Sequence, residues 1–203
     1  MFLFSHVVIT LAAAESIKFA GTHIKSSPKT TLKAETGRTP EPKPVNKIWN
    51  YDIRLLVLGS LLPDIIDKPL GGYILRNLFD NGRIFGHTLL FFLLILTAGL
   101  ILYWRAKKTW LFPVAFGVFI HFLLDSMWQS PGTLFWPLLG SAFPRGNMEN
   151  WLGDMWHYLT VRPTVSVPEL LGLSVCIFIF IWLWKTRRIA SLIMTGRLDI
   201  NRK

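Results

Sequence analysis

Five ionisable residues of metal-ligating type, Asp64, Asp67, His87, His121 and Asp125, stand at or near the ends of strongly apolar stretches. Carboxylates and imidazoles are costly to desolvate beside hydrocarbon, so such residues are functional candidates by default. His121 and Asp125 are spaced i, i+4 on a predicted helix, which puts both on one face. An imidazole and a carboxylate so placed can share a metal ion, as helix-borne ligands do in many hydrolases, although the same pair also makes an ordinary buried hydrogen bond. Asp64 and Asp67 lie one turn apart if the chain stays helical after Pro63. Helix capping and a Lys68 salt bridge would account for them; yet two carboxylates that close repel unless a cation lies between them. Arg83 precedes His87 by four residues, and its guanidinium suits an anionic substrate such as a phosphate ester.

Two His and three Asp make a nitrogen and oxygen ligand set that suits Zn²⁺ first and Mn²⁺ or Fe²⁺ after it. The single cysteine, Cys176, lies in an apolar run and leaves no thiolate cluster or internal disulfide. His6 and Glu169 are candidates for a second ion, the two-metal arrangement used on phosphoesters. His157, in a Trp-rich stretch read as a loop, is open between ligand, substrate contact and neither. His23 falls in a linker and is set aside.

The elements that must position these residues are apolar and helical. A chain of 203 residues that is 51% hydrophobic and 14% aromatic is about one domain long and too apolar for an ordinary soluble protein. The formal charge of +10 does not form a nucleic-acid-binding face, because the basic residues cluster between and after the apolar runs. Two runs are clear, 87–104 and 110–128, joined by the basic turn at 105–109 into a helical hairpin. A third, 170–184, is fifteen residues and spans only about 22 Å as a helix. Weaker runs cover 1–14 and 53–66, the latter interrupted by Gly59 and Pro63. The first has no basic residue before Lys18 and is read as retained, not as a signal peptide. The expectation is an all-α integral membrane protein, a bundle of about five apolar helices in a single domain over 1–203. A flexible basic linker at 25–47 and a basic tail at 185–203 complete it.

Most Lys and Arg fall in three places: 18–54, the turn at 105–108 and the tail from Lys185. Those segments alternate with poorer ones, so the positive-inside rule threads five helices with the N-terminus outside and the C-terminus in the cytoplasm. That threading places a multi-pass protein in the inner or plasma membrane. It also carries His6, Asp64, Asp67, His87, His121 and Asp125 to the same, non-cytoplasmic side.

The run Gly59-Ser60-Leu61-Leu62-Pro63-Asp64-Ile65-Ile66-Asp67, then Arg83 to His87-Thr88, His121-Phe122-Leu123-Leu124-Asp125 and the N-terminal Ser5-His6, together resemble the YdjM-like membrane-bound metal-dependent hydrolases. The resemblance covers most of the chain. It implies metal-site positions at His6, Asp64, His87, His121 and Asp125, in a ligand order similar to that of zinc-dependent phospholipase C and related nucleases. Two departures stand out. Gly82 occupies the place where many members carry a His, and Asp64 and Asp67 are spaced one residue wider than the commoner pattern.

The leading expectation is therefore a membrane hydrolase whose metal-activated water attacks a phosphoester, such as a lipid, at the outer interface. Arg83 would contact the anion and Asp67 would act as a ligand or general base. The apolar stretch 133–139 suits a surface that meets membrane lipid. Two other classes compete: an ion-coupled transporter lined by the same His and Asp, and a non-enzymatic scaffold with a structural metal, whose basic linker binds partners or anionic lipid. Nucleic acid is not an expected partner.

Overall fold

The computed structural model describes residues 3–25, 51–145, 148 and 150–196, without the side chains of 20–25 and 152. The linker expected at 25–47, beyond Lys25, and the tail beyond Gly196 lie outside the described residues, within which the chain is helical without strands. Helices α1 (Leu3–Lys25) and α2 (Ile53–Pro69) are followed by a π-turn at Leu70–Ile74 and the short α3 (Arg76–Phe79). A 3-10 turn at Phe85–His87 leads into α4 (Leu89–Ala106), and α5 (Leu111–Leu124) returns from it. Then come a 3-10 turn at Met127–Gln129, α6 (Pro131–Leu134), α7 (Trp151–Val161), α8 (Pro163–Lys185) and α9 (Ile189–Thr195).

Two helices, α4 and α8, are long and apolar enough to cross a membrane, and α5 is apolar but shorter. Very little of either long helix is covered by the rest of the protein. Leu93, Leu94 and Ile101 on α4, and Phe178, Phe180 and Ile181 on α8, face outward. A soluble core helix would bury such residues; left outside, they match a hydrocarbon solvent.

Several boundaries differ from the sequence-based expectation. Helix α8 begins at Pro163 and not near Leu170, because proline is suited to a first helical turn and its φ already fits. At about 35 Å it is long enough to cross a bilayer. His87 sits in the turn before α4, where Thr88 caps the helix by accepting from the Phe91 N–H at 3.1 Å. The stretch around His157 is helical: Trp151, Met155 and Leu159 recur every fourth residue as a half-buried stripe on α7.

The molecule is organised by close backbone approaches at glycine. A Cβ on Gly117 of α5 would lie 2.5 Å from the Ser60 nitrogen of α2, and one on Gly59 would lie 2.3 Å from the Val114 oxygen. The α2–α5 crossing thus exists only with no side chain at either position, the small-residue packing that membrane helices use. A third approach seats Gly172 of α8 against the backbone of Phe4 and Ser5. There Glu169 accepts from the Phe4 N–H at 2.9 Å, the Ser5 N–H at 3.3 Å and the Ser5 hydroxyl at 3.0 Å. A carboxylate on the N–H groups of a helix start is favoured by the helix dipole.

Candidate metal centre

The α2–α5 crossing places His121, one turn beyond Gly117, beside the backbone of Ser60, next to Gly59. His121 Nδ1 lies 2.7 Å from the Ser60 carbonyl oxygen. A carbonyl only accepts, so Nδ1 carries the proton and Nε2 presents a bare lone pair. His87 is fixed by the same logic. Its Nδ1 lies 2.7 Å from Asp67 Oδ2, and that carboxylate also accepts from the backbone N–H groups of Ile84 at 2.7 Å, Gly86 at 2.7 Å and His87 at 3.2 Å. With Asp67 acting as acceptor throughout, His87 donates from Nδ1, and in the neutral ring its Nε2 is bare as well.

The two bare nitrogens face one another at 3.2 Å. Both rings and Asp67 are fully buried. Two neutral acceptors held that close, out of water, repel unless a proton or a metal cation joins them. Carboxylate oxygens complete the arrangement. Asp64 Oδ1 lies 3.6 Å from His87 Nε2 and 4.0 Å from His121 Nε2, and Asp125 Oδ2 lies 3.5 and 3.7 Å from the same atoms. Asp64 Oδ1 is buried without a hydrogen-bond partner. A tetrahedron of ligands about 2.1 Å from a central Zn²⁺ has edges of about 3.4 Å, so the separations from the imidazoles to each other and to each carboxylate are of the size found between ligands of an ion.

His6 joins from α1, with Nε2 at 3.3 Å from Asp125 Oδ1 and its ring centroid 4.8 Å from that of His121. Two sets of ligand atoms, His6/His121/Asp125 and Asp64/His87/His121, each lie within 4.8 Å of one another and share His121. All five positions named from the sequence as metal ligands therefore converge, from α1, α2, the turn before α4, and the end of α5.

Asp67, read from the sequence as a ligand or general base, belongs to neither set. Its oxygens are occupied by three backbone N–H groups and His87, so it holds the 84–87 turn and aims His87. Gly86 allows this: a Cβ there would lie 3.0 Å from the Pro63 oxygen and 3.1 Å from Asp67 Oδ1. Glu169, a candidate for a second ion, is instead spent on the start of α1. His157 is exposed on α7 and packs against Tyr158.

Cations border the cluster. Arg83 Nη2 lies 3.2 Å from Asp125 Oδ2, and Lys68 Nζ donates to Asp64 Oδ2 at 2.9 Å. The positions are neighbours, since a Cβ on Gly82 would lie 3.6 Å from Lys68 Cγ. At Gly82, where many members of the resembling family carry a His, Lys68 and the Met148 side chain close the space. Phe79, Phe85, Trp136 and Phe143 pack edge-to-face or stacked, with centroids 5.0–5.7 Å apart, and secure the loop that carries Arg83. The supporting atoms, the Ser60 carbonyl and the Asp67 carboxylate, had weak sequence signals: a backbone group has none, and Asp67 reads like a ligand.

The sequence matches the model of the YdjM inner membrane protein family over residues 1–195, so the chain belongs to that family. No curated protein and no solved structure matches it.

Proposed function

We propose that this member of the YdjM inner membrane protein family is a metal-dependent hydrolase of phosphoesters, with its centre on the non-cytoplasmic side of the membrane. The observation that carries the reading is the pair of buried imidazoles, each pinned at Nδ1, that point their Nε2 atoms at each other and at two carboxylates. Neither a salt bridge nor a helix cap calls for acceptors to face acceptors.

The donor set fits Zn²⁺, with Mn²⁺ or Fe²⁺ less well suited. His87 and His121 bind through Nε2, Asp64 and Asp125 through the oxygens that face them, and His6 enters beside Asp125. When bound, the ion would lower the pKa of a coordinated water towards neutrality and stabilise charge on the attacked oxygens. The chain does the rest. Asp67 and the Ser60 carbonyl hold the two imidazoles in one tautomer and orientation, and Asp67 so acts through His87 instead of touching substrate. Three carboxylates, Asp64, Asp67 and Asp125, meet two fixed cations, Lys68 and Arg83. A divalent ion turns that negative balance positive, which favours an anionic ester, and the Arg83 guanidinium can bind two of its oxygens.

Metal analysis by mass spectrometry of protein purified without chelator tests the reading, alongside hydrolysis of a soluble aryl phosphate. Stoichiometric transition metal in the wild type, and background metal and no turnover in His121→Ala/Asp125→Ala, is the expected result. A wild type free of transition metal would overturn it. The topology is tested in a Cys176→Ser background by an impermeant thiol reagent on intact cells. Leu139→Cys should label and Lys33→Cys should not; the reverse puts the centre on the cytoplasmic side.

A further inference from the structure

Outside the metal centre, a groove of about 520 Å³ runs between α1, α7 and α8. Its walls are apolar, from Leu3, Phe4, Met155, Leu159, Leu170 and Leu173. That volume is in the range of small-molecule sites, about 300–1,000 Å³. The groove meets the ligand set at two places. Lys68 is part of its lining and bonds the Asp64 carboxylate, and Phe4 stands two residues from His6. Lys68 Nζ also lies 5.7 Å above the Trp151 ring, whose Nε1–H donates to the Tyr73 hydroxyl at 3.2 Å. The other charge in the lining, Glu169, is bound to the start of α1 and is balanced by it.

We infer that this groove takes one acyl chain of a phosphate-headed lipid, and that Lys68 draws its phosphate to the metal centre. The inference rests on the proposed hydrolase and names its substrate class. Charge complementarity singles out this occupant. The groove is apolar along its length, cationic where it reaches the ligands, and flanked by α8, whose outer face is suited to hydrocarbon. A lipid chain already surrounded by hydrocarbon gains little from apolar walls, since lipid tails are as apolar as Leu. Selection must therefore come from the head group, and the cation at the inner end supplies it.

The test uses the full chain in vesicles of a neutral, phosphate-free galactolipid. The probes are dodecyl phosphate and dodecyl-trimethylammonium, each with a diazirine at the chain end, and labelled peptides are mapped after irradiation. The phosphate probe should label α7 and α8 at Met155, Leu159 and Leu173 about tenfold more than the ammonium probe does. Lys68→Gln should remove that preference. Leu173→Trp and Thr160→Trp, which fill the groove from opposite walls, should each cut the labelling about tenfold, so one poorly folded variant does not decide the outcome. Equal labelling by both probes, or labelling spread along the outer faces of α4 and α8, overturns the inference. Labelling requires no turnover. A groove that labels as expected in a protein unable to hydrolyse the soluble aryl phosphate would sink the hydrolase and keep the lipid site; turnover without groove labelling would do the opposite.

Discussion

The two ends of the bundle hold similar residues and use them differently. At the basic end, charged and polar groups meet partners of opposite sense near water. Lys18 pairs with Glu15 at 3.4 Å, the Tyr51 hydroxyl donates to Glu15 at 2.6 Å, and Arg54 holds Asp52, which in turn caps α2. The hydrogen bond from Arg54 keeps the Asp52 carboxyl below its ordinary range. At the histidine end the like-natured atoms face each other, buried, and each is held there by a group behind it. Exposed pairs like Lys18 and Glu15 are worth at most about 1 kcal/mol and ask for nothing further. Convergent, buried acceptors are unstable alone, so the fold that enforces them marks a place for a cation.

Four experiments break or sharpen that contrast. The largest effect is expected from Gly117→Leu, which drives a side chain into the α2 backbone and parts His121 from the Ser60 carbonyl. Overpacking of this kind costs about 3 kcal/mol, seen as a fall in the thermal midpoint together with loss of metal. Retention of both would show that the glycine crossing does not position the histidine. Next, Asp67→Asn keeps the shape and removes the charge that fixes His87. Metal affinity should drop by about 10–100-fold in a competition titration against a coloured chelator. An unchanged affinity would reduce Asp67 to a loop anchor.

A smaller effect is expected of Glu169→Ala, about 1 kcal/mol of stability for the lost cap. Its metal content should equal that of the wild type. Loss of one of two ions would reinstate Glu169 as a ligand. The smallest concerns Tyr51, whose hydroxyl is pushed up by burial first, then by the bond to Glu15 and its charge. A raised pKa means that the protonated phenol is favoured in the fold. The contribution is therefore complete below about pH 10, the ordinary phenol value, and is lost as the pH rises beyond it. Thermal midpoints of the wild type and Tyr51→Phe should differ at pH 8 and converge in strong alkali, with metal content untouched in both.

Much of the fold was legible because helix α4, its basic turn and helix α5 depend on local composition, and Thr88 marks the start of α4. The start of α8 was missed, since the stretch 163–169 is less apolar than 170–184 and only Pro163 betrays it. Helix α7 was missed because its stripe of Trp151, Met155 and Leu159 is short and interrupted by polar residues. At the site, residue types pointed to Asp64, Asp67, His87, His121 and Asp125, with His6 and Glu169 beside them, and the family resemblance singled out His6, Asp64, His87, His121 and Asp125 as ligands. Residue types alone could not separate those ligands from Asp67 and Glu169, which have the same chemistry.

By itself the sequence determined the apolar helices, the charge asymmetry and the pool of ligand-type residues, because hydropathy, charge and side-chain chemistry are carried by each residue wherever it sits. Only the tertiary structure decided which carboxylates face the two imidazoles and which stand behind them. That choice depends on a carbonyl of α2, on two glycines that let helices touch, and on the direction of each lone pair. None of these is a property of a residue; each arises where separate segments meet.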